Sequence, residues 1–201
     1  MRNVLALVFG TLIASMMIAA PFSYKYWRDR EPRNFRVVED GILYRCGQLR
    51  LPRMEQIVAL YGIRTVVSLR DGSQAVDEQE ERWVNAKGLK FVRIPYRQWT
   101  PDETGKVPGD ESVRTFRDVM DDPANYPVLV HCFAGIHRTG TMCATFRIDF
   151  QGWSNAQAMA EMRAMGYTIL DNHEDVRNYI TNYSSPRAAK SVPAAPAVLK
   201  K

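Results

Sequence analysis

The segment His131–Gly140 reads HCFAGIHRTG, and it decides more about the fold than any other stretch of the chain. Before it, residues 126–130 (YPVLV) predict a turn followed by a short buried strand. After it, Met142, Phe146 and Phe150 recur at helical spacing. A loop that leaves a strand and opens a helix turns its backbone N–H groups inward. The segment therefore predicts an anion-binding loop.

The side chains of this loop suit nucleophilic attack on a phosphate. A helix N-terminus and neighbouring cations favour the thiolate form of a cysteine, so we expect Cys132 to be the nucleophile. Arg138 can hold two phosphate oxygens at once, and Gly135 lets the loop curl. The hydroxyl of Thr139 can donate to the sulfur, and His131 can brace the loop from behind through hydrogen bonds to the backbone. This set predicts phosphoryl transfer through a cysteinyl-phosphate, without a cofactor or a metal.

The pattern HC-x-x-G-x-x-RTG resembles the signature of the protein tyrosine phosphatase superfamily. Two further segments, Gly41–Gln48 (GILYRCGQ) and Gly62–Arg70 (GIRTVVSLR), together with His137–Gly140, resemble the atypical dual-specificity phosphatases of the plant and fungal type. The resemblance covers residues 35–183. It implies the cysteine-phosphatase fold, which is a single α/β domain with a central, mostly parallel sheet flanked by helices. It also implies hydrolysis of phosphate monoesters.

Strand-like and helix-like segments alternate between residues 35 and 183, which is typical of an α/β domain. The pair Asp40-Gly41 predicts a hairpin between the first two strands. The predicted strands are 35–38, 42–45, 65–69, 89–94 and 128–131, and the predicted helices are 54–61, 75–86, 112–120, 139–150, 155–165 and 174–183. We expect the loop at the carboxyl end of a central strand, where open α/β sheets bind their ligands.

The proton donor is the weakest part of the pattern. The resemblance implies an aspartate from an earlier loop, and residues 99–102 (WTPD) resemble the tryptophan–proline–aspartate pattern with one residue inserted. Asp102 is therefore the predicted general acid, ahead of Asp110 and Glu103; its alternative role is that of a turn or helix-cap residue. If the position of the acid is counted from the end of the preceding strand instead, Gln98 occupies it. The enzyme would then suit substrates with good leaving groups, such as a pyrophosphate, because these need little help from a proton donor.

Substrate choice is expected to rest on the loop itself. Relatives that cleave inositol phosphates or pyrophosphates tend to carry lysines there, whereas this loop is largely apolar, and fewer cations weaken the preference for a polyanion. The main prediction is a phosphotyrosine or dual-specificity phosphatase acting on a phosphorylated protein or a small phosphorylated metabolite. The alternatives are an inositol (pyro)phosphate or phosphoinositide phosphatase and a catalytically weak phosphate-binding module. The predicted substrate-binding residues are Phe133, Ala134, Gly135, Ile136, His137 and Arg138.

Other readings of the cysteines fit less well. Zinc sites usually pair their ligands at short regular spacings, and the cluster of His131, Cys132, His137 and Cys143 lacks a second such pair. A rhodanese-like sulfur transferase has no need of the arginine followed by Thr-Gly. Cys143 and Cys46 are expected to be small core residues, because free cysteine is among the most buried residue types.

The basic charge lies in the ends of the chain. The net charge is +5; residues 1–36 contribute +4 and residues 186–201 another +4, which leaves −3 for residues 37–185. A basic pI that comes from the tails does not indicate a nucleic-acid-binding face, so no nucleic-acid partner is expected.

The two ends are expected to lie outside the catalytic domain. Val4–Ala20 is a stretch of 17 uncharged residues, near the lower limit for spanning a bilayer, so residues 1–34 predict a membrane anchor with a basic linker. A cleaved signal peptide fits less well, since Pro21 follows the weak small-residue site. More basic residues follow the stretch than precede it, which favours a cytoplasmic domain over a secreted or periplasmic one. Residues 184–201 predict a disordered tail rich in Pro, Ala and Lys.

Overall fold

The structure, a computed structural model, describes residues 9–11, 13–21, 23 and 33–187. The chain divides into two compact units, Met1–Pro32 and Arg33–Lys201. In the first unit the described residues are helical. Within the described ranges, no helix has the length and apolar character needed to cross a membrane. Parts of the anchor segment Val4–Ala20 and residues 188–201 of the predicted tail lie outside the described residues.

Five strands form one sheet in the second unit, in the order β1-β2-β5-β3-β4. Only β1 runs antiparallel to its neighbour, while β2, β5, β3 and β4 are parallel, so the predicted mostly parallel sheet is confirmed. The predicted hairpin is confirmed as well, because β1 and β2 pair across the turn at Asp40-Gly41. The strands are β1 (Arg36–Glu39), β2 (Leu43–Gly47), β3 (Thr65–Ser68), β4 (Lys90–Arg93) and β5 (Val128–Cys132).

Within residues 33–187, six α-helices accompany the sheet, and each of the six predicted helices is present. Gly62 ends the first helix in a left-handed conformation (φ 62°), and its N–H donates to the carbonyl of Val58. Ser154 and Gln157 form a capping box that starts the fifth helix. The helices are α1 (Leu51–Tyr61), α2 (Ala75–Ala86), α3 (Gly109–Asp121), α4 (His137–Gln151), α5 (Asn155–Ala164) and α6 (Glu174–Asn182).

The sheet is covered on both faces, as expected of parallel strands. Val66 and Leu129 pack with residues of α1 and α2, whereas their neighbours Val67 and Val130 pack with residues of α3 to α6. Cys46 is buried in the first layer and Cys143 in the second, which confirms both as core residues. Burial raises the pKa of both thiols, and that of Cys46 lies well above its ordinary value. Neither thiol is suited to act as a nucleophile at neutral pH.

The strand register decides what surrounds the nucleophile. β5 lies between β2 and β3, so Cys132 pairs with Gly47 on one side and His131 with Ser68 on the other. The carboxyl ends of three parallel strands therefore meet at one edge of the sheet. This edge is the predicted position of the catalytic loop.

Candidate active site

Residues 133–136 join β5 to α4 and wrap around the sulfur of Cys132. The cysteine is buried, and the backbone N–H of Gly135 donates to its Sγ at 3.2 Å. Gly135 has φ +74°, and a Cβ atom at this position would lie 2.4 Å from the backbone carbon of Cys46. No side chain fits there, because the loop presses directly on the backbone of β2. The glycine is thus required both by its conformation and by the close approach.

Arg45 holds this loop from inside the protein. Its side chain is buried, and Nη2 donates to the carbonyl of Gly135 at 2.8 Å and lies 3.5 Å from that of Ile136. Gly135 therefore accepts a hydrogen bond from Arg45 at its carbonyl and donates one from its N–H to the sulfur of Cys132. Sequence reasoning missed this role. The available signal was an arginine in the middle of a strand whose neighbouring side chains are apolar.

Arg138 is held at the wall of the site by three groups. Its Nη1 donates to the carbonyl of Leu69 at 3.0 Å and lies 3.6 Å from Oδ1 of Asp71. Its guanidinium carbon is 4.9 Å from the ring centre of Tyr96. The backbone N–H of Tyr96 donates in turn to Asp71 at 3.2 Å. These contacts orient a bidentate anion-binding group at the entrance to α4.

Thr139 and His131 occupy different sides of the loop. Thr139 is fully buried, and among the described residues its hydroxyl has no hydrogen-bond partner, which leaves it free to donate to a sulfur or a phosphate oxygen. His131 points to the opposite face of the sheet from Cys132, because consecutive residues of a strand alternate. Its Nε2 lies 2.8 Å from Oε1 of Glu80, although the pair is not aligned as a hydrogen bond. A buried carboxylate of α2 therefore lies beside His131, and among the described residues the His131 ring forms none of the expected hydrogen bonds to the loop backbone.

The loop opens into a cavity of about 370 Å³. Four of the predicted substrate-binding residues line it: Phe133, Ala134, His137 and Arg138. Gly135 lies beneath them, and the side chain of Ile136 packs against the core instead. Cys132 itself also lines the cavity, and the remaining lining residues come from the segment between β3 and α2: Arg70, Asp71, Ser73 and Gln74.

His137 does not add a further cation to Arg70 and Arg138 in the lining of this cavity at neutral pH. Its ring lies 4.5 Å from that of Tyr167 and 5.7 Å from that of His173, measured between ring centres. Partial burial and the neighbouring His173 lower the pKa of His137 below its ordinary value. The imidazole is therefore mostly neutral near pH 7.

The structure does not bring Asp102 into the cavity lining. Its carboxylate accepts hydrogen bonds from the backbone and hydroxyl of Thr104 and from the backbone of Lys106, at 2.6–3.1 Å. These bonds, chiefly those from Thr104, hold the pKa of Asp102 below its ordinary value. Trp99, the first residue of the WTPD pattern, is buried against Tyr179, 4.7 Å between ring centres.

The other residues considered for the position of the acid, Asp110, Glu103 and Gln98, also lie outside the lining. Asp110 accepts a hydrogen bond from the hydroxyl of Tyr179 at 2.8 Å, and Glu103 and Gln98 are exposed in the loop. Within the part of the chain that is described, Asp71 is the carboxylate that lines the cavity. The assignment of Asp102 as the general acid stays a prediction.

Metal ligands are not clustered at this site or elsewhere in the described ranges, where no group of three or more His, Cys, Asp or Glu side chains could hold an ion.

Comparison with known proteins defines the class. A family model described as "DSP-PTPase phosphatase fused to NAD+ Kinase" matches residues 18–178, and the chain belongs to this family. The dual specificity protein phosphatase TpbA of Pseudomonas aeruginosa is 24% identical over 184 residues, which cover 88% of this chain and 79% of TpbA. The inositol diphosphatase DSP3 of Arabidopsis thaliana is 30% identical over 132 residues, which cover 65% of this chain and 61% of DSP3.

Solved structures support the same fold. The catalytic core of the PP-IP phosphatase Siw14 from Saccharomyces cerevisiae superposes with a TM-score of 0.63 at 20% identity, covering 79% of this chain and 90% of that core. The crystal structure of TpbA gives 0.60 at 24% identity, covering 78% and 89%. The chain is accordingly a phosphoric monoester hydrolase of the cysteine-phosphatase fold.

Arg45 generates a testable prediction. Arg45→Met removes the donor to the buried carbonyl of Gly135, which should lower the free energy of unfolding by about 1–3 kcal/mol. Because Gly135 also positions the nucleophile, kcat for an aryl phosphate should fall roughly 10²-fold, a typical effect of a misplacement of about 1 Å. Urea unfolding and steady-state kinetics measure the two effects. Arg64→Met, at an exposed arginine before β3, is the matched control; an unchanged kcat in Arg45→Met would contradict the role.

Proposed function

We propose that this enzyme is a dual-specificity phosphatase that prefers phosphotyrosine and acts through a phosphocysteine on Cys132. One observation carries the proposal: the N–H of Gly135 meets the sulfur at 3.2 Å, in a cavity whose wall also presents Arg138. A nucleophile and a phosphate-binding cation at one cavity are what attack on a phosphate monoester requires.

The reaction proceeds in two displacements. The guanidinium of Arg138 and the loop N–H groups bind the nonbridging oxygens, and the sulfur of Cys132 attacks phosphorus while the bond to the ester oxygen breaks. A proton donor supplies the leaving oxygen with its proton. Water then attacks the phosphocysteine, the S–P bond breaks, and inorganic phosphate leaves. The free hydroxyl of Thr139 stabilises the sulfur as it departs.

Phosphotyrosine is favoured by the character of the cavity. Phe133 is exposed at its rim and offers a surface to an aromatic ring, while the neutral His137 and Ala134 add no charge for a polyanion. A structure of a TpbA variant is described as a complex with phosphotyrosine. The second candidate is an inositol diphosphatase, because DSP3 and four other relatives carry that name.

Two variants test the nucleophile and the cation. Cys132→Ser should abolish hydrolysis of 4-nitrophenyl phosphate and of phosphotyrosine peptides. Arg138→Lys should lower kcat roughly 10²–10³-fold, because the bidentate contact is lost while the charge remains. Cys143→Ala, at a buried thiol outside the cavity, is the control that should stay active. Activity of Cys132→Ser equal to that of the control would refute the proposal. Faster hydrolysis of an inositol diphosphate than of phosphotyrosine peptides would favour the second candidate.

For the proton donor we propose Asp102, and Asp71 is the alternative. The superfamily resemblance supports Asp102, but donation requires that the turn closed by Thr104 and Lys106 opens toward the cavity. Asp71 is supported by its position in the cavity lining, although its contact with Arg138 also suits it to orient that guanidinium. The two assignments predict a different pH dependence of kcat for the variants Asp102→Asn and Asp71→Asn.

Kinetics with a poor leaving group distinguish the two. A general acid must be protonated to act, so kcat falls as the pH rises through its pKa. Asp102→Asn should remove that alkaline decline and lower kcat roughly 10²–10⁴-fold for an alkyl or phenyl phosphate, with a smaller effect for 4-nitrophenyl phosphate. Asp71→Asn should keep the decline. The reverse result would assign the proton to Asp71.

We further propose that the N-terminal unit attaches the enzyme to a membrane. In the part of this unit that is described, large apolar side chains on helical residues are 56–73% exposed, which leaves a surface that a lipid phase would cover. These side chains are Phe9, Ile13, Met16, Met17 and Ile18.

Fractionation of cells tests the attachment. The full chain should remain in the membrane pellet after alkaline extraction, whereas the double variant Ile13→Lys, Met17→Lys should be released. Release of the unsubstituted chain would refute the anchor. Protease added to intact cells then reports the orientation: a protected domain is cytoplasmic, and a digested one is secreted or periplasmic.

A further inference from the structure

The rim of the catalytic cavity carries an arginine that precedes the first strand. Phe133, which directly follows the nucleophile, is 56% exposed. The guanidinium carbon of Arg33 lies 4.2 Å from the centre of its ring, and that of Arg70 lies 5.4 Å away. A residue about one hundred positions earlier in the chain thus reaches the catalytic loop.

Arg33 is held in place by the backbone around it. The carbonyl of Arg33 accepts a hydrogen bond from the N–H of Gly47 at 2.6 Å. The next residue, Asn34, has a left-handed backbone (φ 50°), and its Nδ2 donates to the carbonyl of Ala134 at 2.8 Å. This segment is therefore attached both to the end of β2 and to the catalytic loop.

The stem of Arg33 passes over a glycine that leaves room for it. A Cβ atom on Gly47 would lie 3.0 Å from Cδ of Arg33 and 2.9 Å from the carbonyl oxygen of Ala134. The end of β2 is thus kept free of a side chain where the arginine and the loop meet. The guanidinium is consequently presented at the rim and not directed away into solvent.

The two arginines at Phe133 differ in whether a carboxylate pairs with the guanidinium. Arg70 is paired with the buried carboxylate of Asp77, with Nε 2.7 Å from Oδ1, and also binds Gln74. Arg33 forms no ion pair with any carboxylate in the described part of the chain. Among the described residues, no carboxylate therefore neutralises its charge.

We propose that Arg33, seated on Phe133, binds an acidic group of the substrate next to the phosphorylated residue, so that acidic phosphotyrosine peptides are preferred. This inference rests on the proposed phosphatase function of Cys132. The guanidinium of Arg138 lies 3.6 Å from the exposed carboxylate of Asp71, whereas Arg33, on the Phe133 side of the rim, has no such carboxylate neighbour among the described residues. A peptide with one acidic neighbour matches that distribution better than a polyphosphate, whose charge would also meet Asp71.

A pair of matched peptides tests the subsite in the full-length enzyme. The two phosphotyrosine peptides are identical except for Glu or Gln at the positions flanking the phosphotyrosine. The ratio of their kcat/KM values should favour Glu by about two- to fivefold, as expected for an exposed charge pair, and should decline as salt is added. The ratio should fall to about one in Arg33→Gln and be partly retained in Arg33→Lys. Arg36→Gln removes the same charge from an exposed site on β1 and should keep the ratio.

The outcomes separate the subsite from the function. Equal hydrolysis of both peptides by the unsubstituted enzyme would overturn the subsite and leave the phosphatase function intact, whereas no hydrolysis of either would refute the function. A Glu preference that survives in Arg33→Gln also overturns the subsite. The subsite is also overturned if Arg33→Gln loses activity only toward an inositol diphosphate and not toward the Glu peptide, because the arginine would then bind a polyphosphate. If Arg33→Gln fails to fold, Arg33→Lys and the salt dependence still test the inference.

Discussion

The catalytic loop depends on the close contact between Gly135 and the backbone of β2. Gly135 has a left-handed conformation. Its carbonyl accepts a hydrogen bond from Arg45, and its N–H donates one to the sulfur of Cys132. A side chain larger than hydrogen would collide with Cys46 at 2.4 Å. One backbone position therefore links the buried arginine, the strand and the nucleophile.

The remaining parts of the site are held by the ends of the parallel strands. The end of β3 supplies the carbonyl of Leu69 and the carboxylate of Asp71 to Arg138, and the end of β2 accommodates Arg33 over Phe133. These groups come from distant parts of the sequence, and they meet because parallel strands bring their carboxyl ends to one edge. The sheet thus determines which charges surround the substrate, while the loop supplies the chemistry.

Prediction from the sequence succeeded where the signal was local. The α2 helix was predicted with its observed bounds, Ala75–Ala86, because its periodicity and turn residues lie within one short segment. In the loop that carries Asp102, the assignment of the proton donor stays a prediction. The WTPD pattern indicates a proton donor, yet Trp99 is buried against α6, and the carboxylate of Asp102 closes a turn with Thr104. A motif cannot report which way a loop is oriented by packing against a helix about eighty residues later.

The sequence by itself determined the α/β class, the reacting cysteine in its loop and the arginine that opens the following helix. These follow from neighbouring residues, whose spacing specifies a strand, a turn and a helix. Only the tertiary structure decided that Arg45 supports the loop, that Glu80 lies behind His131 and that Arg33 lies at the rim. Those contacts depend on strand order and register, which place residues far apart in the chain side by side. No local pattern contains that information.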